Sequence, residues 1–373
     1  MVEIRQGDRK AAFEVPFKAY GAEHPYVSPM RMDVDRILDP ERNPLCQDGR
    51  GRLQLFTAHR NGAAIGRIVA SVHTASNVRH GTNMGQFGFF DYVNNPEVAA
   101  ELLRAAEAWL IEQGVDEAVG NFNLTAMQMI GVVTEGFENS PYTDMMWSPP
   151  WLPEHLRMNG YASEFPMTTF ETDITALDPD IFLGSEQKDI LSDPDFTWHP
   201  INMRTFKQRM EDARQVLNDG FSDNPMFVPL SQEEYQFQAG EMMWVMDPRL
   251  STVIHHKGCP AGVIVCIPDL NPFVKATGSK LSWLSPYHYL HFRLRRDRAV
   301  IIYYSVKREL HGHGINGAML HRVVSAAKQA GYRMLGGTWI SDENTASLKQ
   351  MRGVGSTPLH RLHLFRKRLR PAT

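Results

Sequence analysis

The sequence predicts an α/β protein in which one arrangement of strands and helices occurs twice. Two observations support this class. An aromatic strand, a turn, a helix ended by glycine and a further strand follow one another over residues 86–122, and the same order returns over residues 300–340. Such repetition indicates a duplicated unit. A chain of 373 residues with 43% hydrophobic residues is also long enough and apolar enough for two cores.

The elements of the first half follow from local patterns. Asn61-Gly62 separates two runs of alternating apolar residues, which is a strong hairpin signal. Pro96 starts a helical apolar pattern that Gly114 ends. The predicted elements are a strand and a helix within 5–20, hairpin strands 53–59 and 63–73, a strand 86–92, a helix 96–113 and a strand 118–122.

The second half repeats this plan after a polar stretch, residues 178–200, in which Asp and Pro recur. We therefore predict an N-terminal domain 1–175, a linker 176–200 and a C-terminal domain 201–373. The predicted elements are helices 203–217 and from 231, hairpin strands 250–256 and 261–267, a strand 300–306, a helix 315–330, a strand 332–340, a short helix 345–350 and an alternating strand 360–369.

The turn between the strand 300–306 and the next helix is the candidate binding site. Gly312 and Gly314 let an anion come close to the backbone, and the first N–H groups of a helix have no partner within it. The helix dipole also favours negative charge there. The corresponding turn of the first half has Pro96 and Glu97 and no glycine. Since proline lacks an N–H and an acid repels phosphate, we expect only the second half to bind pyrophosphate.

This turn and the order of elements around it resemble the acyl-CoA-binding half of the GNAT acyltransferase superfamily. There, a motif of Gln or Arg, two residues, Gly, one residue, then Gly or Ala wraps the CoA pyrophosphate. Here His311 stands at the Gln/Arg position, Gly314 is the required glycine and Asn316 stands where Gly or Ala is usual. Other stretches are similar to a family of large bacterial tandem GNAT-like acetyltransferases, namely 66–70, 88–90, 136–137, 221–224, 227–230, 268–271 and 339–344.

The resemblance implies two GNAT-like acyl-CoA N-acyltransferase domains in tandem, with mixed sheets flanked by helices. It implies acetyl-CoA or another acyl-CoA as donor, no metal, and direct attack by an amine in a ternary complex. Pantetheine would pair with the exposed strand backbone and the turn would bind pyrophosphate. The residues expected to contact the donor are Ser305, Val306, His311, Gly312, His313, Gly314, Ile315, Asn316 and Asn344.

The general base stays open at this point. His311 and His313 point toward phosphate in the family geometry. Tyr303 and Tyr304 alternate along the strand, so one faces the core and one the cleft. Tyr304 is the candidate catalytic acid or base. The superfamily often has a Tyr on the helix after the second strand, and Met351 lies near that place here.

Residues 140–147, dense in proline and aromatic side chains, are expected to form an irregular wall beside a cleft. Nearby methionines either fill the core or line a channel for an acyl chain. They are Met127, Met129, Met145 and Met146.

Composition limits the other function classes. The net charge of -3 gives no reason to expect nucleic acid or an anionic membrane as partner. Three dispersed cysteines, the absence of a signal-peptide pattern and the absence of a long apolar run predict a cytoplasmic protein without a membrane span. The acceptor, a small-molecule or peptide amine, is open, as are acyl length, an acyl carrier protein as donor or partner, and a homodimer. Alternative functions are a non-catalytic acyl-CoA or acyl-carrier binding protein and an aminoacyl-tRNA-dependent transferase.

Overall fold

The computed structural model describes residues 1–21, 24–125, 129–224 and 227–370. Thirteen strands in these ranges form one mixed sheet. The strands are β1 Glu3–Gln6, β2 Gly51–Arg60, β3 Ala63–His73, β4 Met84–Tyr92, β5 Glu117–Gly120, β6 Val132–Glu135, β7 Ala162–Asp173, β8 Phe196–Pro200, β9 Thr252–His256, β10 Cys259–Pro268, β11 Arg298–Val306, β12 Met334–Ser341 and β13 Thr357–Arg368.

Helices flank the sheet, as the sequence predicts. They are α1 Arg9–Tyr20, α2 Arg31–Ile37, α3 Thr74–His80, α4 Pro96–Glu112, α5 Trp151–Met158, α6 Ser185–Ser192, α7 Phe206–Gly220, α8 Gln232–Ala239, α9 Asn271–Ala276, α10 Ser285–Arg295, α11 Ile315–Gln329 and α12 Thr345–Gly353.

The sheet consists of two units with the same strand order. The N-terminal unit contributes β1 to β5 in sequence from one edge, and the C-terminal unit contributes β8 to β12 in sequence from the other. The last strand of each unit is exchanged: β13 pairs with β5, and β7 pairs with β12. These two strands also pair with each other at the centre. Because each unit is completed by a strand from the other, the two form one continuous sheet.

Successive residues of the inner strands face two different cores. On β10, Ile264 joins a cluster around α11, whereas its neighbours Val263 and Val265 join a cluster around α7 and α8. The N-terminal unit repeats this arrangement, with α4 on one face and α1 and α2 on the other. The α11 face predicted from the sequence is buried, including Ile315 and Met319. Helices therefore cover both faces of the sheet.

The segment predicted as a linker carries α6 and β8, and β8 pairs with β9 at the edge of the sheet. Ile190, Phe182 and Trp198 join the cluster around α11. The segment is thus packed against the C-terminal unit. The stretch has few apolar side chains among many acidic residues, so its composition did not predict a helix and a strand there.

Candidate active site

Strands β11 and β12 are parallel neighbours that separate half-way along their length. They pair from Arg298 with Met334 to Ile301 with Gly337. Beyond that point β11 stays on β10 as far as Val306, whereas β12 follows β7. In the described chain, residues 302–306 have no strand partner on this side, so a wedge-shaped gap opens in the sheet. An extended ligand with amide groups can pair with such an edge as an added strand.

The glycine turn lies beside this gap. Gly312 and Gly314 have φ angles of 80° and 78°, in the left-handed region that glycine adopts without a Cβ clash. Across the described ranges, the N–H groups of residues 312–317 find no hydrogen-bond acceptor. They border a cavity of about 510 Å³ between the turn, residues 181–187 and the end of α12. Free N–H groups at a helix N-terminus beside a cavity make an anion site.

The structure brings most of the predicted donor-contact residues to this cavity. The side chain of His311 turns back, and its Nε2 donates to the carbonyl of Val306 at 2.9 Å. The predicted residues that line the cavity are Val306, His311, Gly312, Gly314, Ile315 and Asn316.

Three predicted residues do not line the cavity. Ser305 is buried on the other side of β11, where its hydroxyl faces Gly220. His313 is exposed on the turn. The side chain of Asn344 accepts a hydrogen bond from the N–H of Ser347 at 3.1 Å and caps α12. These positions agree with a backbone role for Ser305 and a capping role for Asn344.

Tyr303 and Tyr304 face opposite sides of the sheet. The Tyr304 hydroxyl donates to the carbonyl of Asn316 at 2.8 Å, on the α11 side. Tyr303 packs with the cluster around α7 on the other side. Burial raises the pKa of both hydroxyls, so both keep their protons at neutral pH.

A second cavity, of about 190 Å³, lies between the two units on the Tyr303 side. The N-terminal unit lines it with residues 26–30 and 141–147, and the C-terminal unit with Val274 and neighbouring residues at α9. The wall predicted at residues 140–147 therefore borders a cavity. Its apolar lining includes Met30, Phe89, Met129, Met145, Met146 and Trp147. Met127, of the predicted methionine set, lies outside the described residues.

Asp144 projects into this cavity from a turn that is fixed to the C-terminal unit. The N–H and Oγ1 of Thr143 donate to Asp269 Oδ1 at 3.0 and 3.1 Å. The side-chain amide of Asn271 donates to the carbonyl of Pro141 at 2.8 Å. These bonds fix the chain just before Asp144 to the C-terminal unit.

The environment of Asp144 favours its neutral form. Asp144 is an exposed residue at the border of the cavity, but the protein packed around its carboxyl removes part of its hydration. This desolvation, together with the nearby Asp33 carboxylate, raises the pKa of Asp144 to about 6. No hydrogen bond or ion pair to Asp144 is found among the described residues. A carboxylate with this pKa can accept a proton at neutral pH and release it again.

Asp144 also lies near the gap in the sheet. The ring of Tyr142 packs so closely on Gly336 that a Cβ there would be 2.9 Å from it. Gly336 pairs with Val300 just before β11 and β12 separate. The charge of Asp144 contributes to the raised pKa of Tyr303, further along β11. The two cavities therefore lie on opposite faces of the sheet, with the gap between them.

The charge lining the second cavity is negative. Arg67 is the one cation among its described lining residues, and its guanidinium pairs with Asp91 at 2.6 Å. Asp33 pairs with Arg36 at 3.3 Å. Among the described residues no cation compensates Asp144, so the cavity attracts a positively charged ligand. The sequence predicted the wall but not this carboxylate, because its neighbours come from distant parts of the chain.

Within the described ranges, no group of three or more His, Cys, Asp or Glu side chains is arranged to hold a metal ion. None of the described helices combines the length and the apolar composition needed to cross a bilayer.

Comparison with solved structures settles the fold. A tandem GNAT protein from the clavulanic acid biosynthesis pathway matches 100% of both chains with a TM-score of 0.61 and 11% identity. The chain has the tandem GNAT fold. A probable N-acyltransferase from Enterococcus faecalis V583 gives the same result, covering 99% of this chain and 73% of its own, with a TM-score of 0.54 and 9% identity. These structural similarities establish the tandem GNAT fold. At such low sequence identity they say nothing about the substrate.

Sequence comparison finds relatives of full length. A bacterial ceramide synthase of Caulobacter vibrioides (strain NA1000 / CB15N) is 26% identical over 96% of this chain and 94% of its own. Protein YghO of Escherichia coli (strain K12) is 25% identical over 98% of this chain and 94% of its own. No family model matches the chain. These two relatives match the chain over nearly its whole length, at an identity too low to carry over an activity by itself.

Proposed function

We propose that the protein is an acyl-CoA-dependent N-acyltransferase with its donor site in the C-terminal unit. The observation that carries this proposal is the open gap between β11 and β12, with the unpaired N–H groups of residues 312–317 beside it. CoA presents both features that such a site can bind, a diphosphate and an arm with amide groups. The diphosphate would accept hydrogen bonds from the turn, with His311 and His313 nearby. The arm would pair with the backbone of residues 305 and 306.

The second cavity is proposed as the acceptor site. Its uncompensated carboxylate attracts an ammonium group, and its methionine and aromatic lining suits an aliphatic chain. A ceramide is an N-acylated long-chain amino alcohol, and one full-length relative is a bacterial ceramide synthase. We therefore propose a long-chain amine or amino alcohol as the acceptor.

The proposed reaction takes place at the gap between β11 and β12, which lies between the two cavities. Asp144 takes a proton from the acceptor ammonium, which frees the nitrogen lone pair. The nitrogen attacks the thioester carbonyl carbon and forms a tetrahedral intermediate. The C–S bond then breaks, the nitrogen gives its second proton to water, CoA leaves as the thiolate, and the neutral amide keeps the acyl group. Tyr304 is proposed to protonate the thiolate, and water then returns a proton to its hydroxyl, whose raised pKa favours the protonated form. Holding both substrates at the gap supplies much of the rate.

The proposal is tested by thiol release from acetyl-CoA and palmitoyl-CoA. The full chain is mixed with sphinganine, spermidine or a lysine-containing peptide, and the N-acyl product is identified by mass spectrometry. We expect palmitoyl-CoA and sphinganine to give the fastest release. If no amine supports release, the transferase proposal is wrong. Calorimetry with CoA then distinguishes a non-catalytic acyl-CoA binding protein, and titration with tRNA tests the aminoacyl-tRNA alternative.

A further inference from the structure

Helix α10 presents an apolar stripe to solvent. Tyr287, Leu290 and Leu294 recur at helical spacing on this helix, and Trp283 extends the stripe just before it; the exposed fractions of these four side chains are 66%, 59%, 78% and 86%. Leu281 and Leu284, just before the helix, are also exposed. A soluble surface usually scatters such residues singly, so a contiguous patch of this kind marks an interaction site.

The opposite face of the helix anchors it to the fold. Phe292 is buried, and its ring lies 6.3 Å from that of Phe273 on α9. Tyr289 contacts the same ring at 5.7 Å. The exposed stripe is therefore the outer face of a helix that is already packed on its inner face.

Basic side chains border the stripe. Residues 280–296 contain four Lys or Arg and no Asp or Glu, in a chain whose net charge is -3. Arg293 and Arg295 are exposed, and the structure shows no acidic partner for either among the residues it describes. Trp, Tyr and Leu on one face with Arg at the margins is the composition of a helix that lies in a membrane interface.

The stripe is also close to the second cavity. Val274 of α9 lines that cavity, whereas Phe273, the residue before it, packs under α10. After α9, Ser279 donates to the carbonyl of Ser28, beside another part of the cavity lining. A lipid amine leaving a bilayer at α10 would have a short path to the cavity. This last step rests on the proposed function, whereas the stripe and its charge do not.

We propose that α10 and the residues 281–284 before it dock the protein on an anionic membrane surface. Apolar side chains of the stripe enter the boundary between headgroups and acyl chains, and Arg293 and Arg295 contact lipid phosphates. The net charge of the whole chain does not predict this contact, because the basic residues are concentrated at one patch. A second copy of the chain could cover the same stripe, but it would bring the arginines of two patches together.

Vesicle flotation tests the proposal without any substrate. Vesicles of phosphatidylcholine alone are compared with vesicles that also contain phosphatidylglycerol. We expect binding to the anionic vesicles that weakens as salt is added. The double variant Leu290→Gln/Leu294→Gln should lower the partition coefficient about tenfold, since it removes apolar area. Arg293→Gln/Arg295→Gln should lower it about fivefold for each arginine removed, on anionic vesicles only.

A matched control is the double variant Val78→Gln/Met158→Gln, which removes apolar side chains that are 78% and 65% exposed elsewhere. It should bind vesicles as the parent does. Absence of binding to both vesicle types overturns the proposal, and so does equal loss in the control. If sedimentation shows a dimer that the Leu290/Leu294 variant dissociates, the occupant is a second copy and the membrane proposal is wrong. None of these outcomes bears on acyl transfer, which is measured separately.

Discussion

The two units of this protein contain the same pair of separating parallel strands, but among the described residues only the C-terminal pair leaves a gap. In the N-terminal unit β4 and β5 pair from Met84 with Glu117 to Phe87 with Gly120. The chain after β5 then enters the gap: the Phe122 N–H donates to the Phe87 carbonyl at 2.7 Å. A Cβ on Gly88 would lie 1.7 Å from the Phe122 carbonyl oxygen, so the contact is close. In the C-terminal unit nothing comparable fills the space beside 302–306 in the described chain.

The helix that follows each strand shows the same contrast. At the start of α4, Asn95 Oδ1 accepts from the N–H groups of Glu97 and Val98 at 2.9 and 3.2 Å. Pro96 has no N–H, and Glu97 pairs with Arg60. At the start of α11 there is Gly314 and no side-chain cap. Thus the N-terminal helix satisfies its own donors, whereas the C-terminal helix leaves them for a ligand.

The comparison shows how the two copies of a duplicated fold can take different roles in one site. Backbone donors and acceptors at a gap must be satisfied by the chain itself, by water or by a ligand. The N-terminal unit satisfies them internally and is free to supply other groups, here the wall that carries Asp144. The C-terminal unit leaves them open for the proposed donor. The exchanged strands β7 and β13 fix the two units to each other, so a residue of one can act at the gap of the other.

The largest effect is expected for Asp144→Asn. The amide cannot accept the proton of the acceptor ammonium, so kcat should fall about 10³-fold. Binding of acyl-CoA, measured by calorimetry, should not change, because the donor lies on the other face of the sheet. An Asp144→Asn variant that keeps more than a tenth of the parent kcat would show that the N-terminal unit supplies no base.

The pH dependence has a definite sign. The pKa of Asp144 is raised to about 6, so kcat/KM should rise with pH through this region as the carboxylate forms. Removal of the neighbouring negative charge by Asp33→Asn should lower the pKa of Asp144 and move the rise to lower pH. The folded state holds this proton more tightly than the unfolded state, so stability falls as the pH rises from the ordinary pKa of 3.8 to about 6 and the full loss persists above that. Asp144→Asn should therefore melt no lower than the parent at pH 7.

The next largest effect, a loss of CoA binding, is expected for Gly314→Val. A branched side chain cannot adopt a φ of 78° without strain, and its Cβ would lie 2.9 Å from Gln187 Nε2. The turn must rearrange, and the loss of two or more N–H contacts to a charged phosphate should weaken CoA binding about 100-fold. Gly258→Val is the matched control, since Gly258 also has a positive φ, of 81°, but lies in the β9–β10 hairpin. An equal loss in both variants would assign the effect to folding.

A smaller effect is expected for Tyr304→Phe, and its form separates two roles. If the hydroxyl protonates the thiolate, kcat should fall about tenfold with little change in KM. If it serves only to hold the turn through the Asn316 carbonyl, the KM for acyl-CoA should rise while kcat is kept. The replacement with Phe keeps the packing of the ring and removes one hydrogen bond. Steady-state kinetics with varied palmitoyl-CoA distinguish the two.

The sequence was sufficient for the parts of the fold that depend on local pattern. The hairpin at Asn61-Gly62, helices α4 and α11 and the strand before the glycine turn are where the periodicity and the glycines place them. Strand β7 was not predicted. Its run from Ala162 to Asp173 contains a proline and several polar residues, and it is held as a strand by β12 and β13 from the other unit. Such long-range pairing leaves little trace in local sequence.

The candidate site likewise has one part that the local sequence predicts and one part that it does not. The donor turn is one continuous stretch, so its glycines and helix could be recognised directly. The cavity with Asp144 joins α2, the turn 141–147 and α9, which are far apart in the chain. A carboxylate beside proline and aromatic residues gives no sign of its raised pKa, because that depends on the protein folded around it. The stripe on α10 was visible as an aromatic-rich run, but its exposure could not be read from composition.

The smallest effect on donor binding is expected for Asn123→Ala, in the closed gap; because Asn123 also lines the second cavity, CoA binding and not kcat is measured. The Asn123 side chain accepts a hydrogen bond from the Phe89 N–H at 2.9 Å, and its removal leaves that buried donor unpaired. The free energy of unfolding should fall by about 1–3 kcal/mol, as measured by urea denaturation. CoA binding should stay at one molecule per chain with unchanged affinity, since the N-terminal helix still caps its own donors. A second CoA bound by the parent or by this variant would show that the N-terminal unit is also a donor site, and the contrast between the units would fail. A variant that loses stability and keeps both the stoichiometry and the affinity of CoA binding would show that residues 121–123 act in this unit as a structural substitute for a ligand.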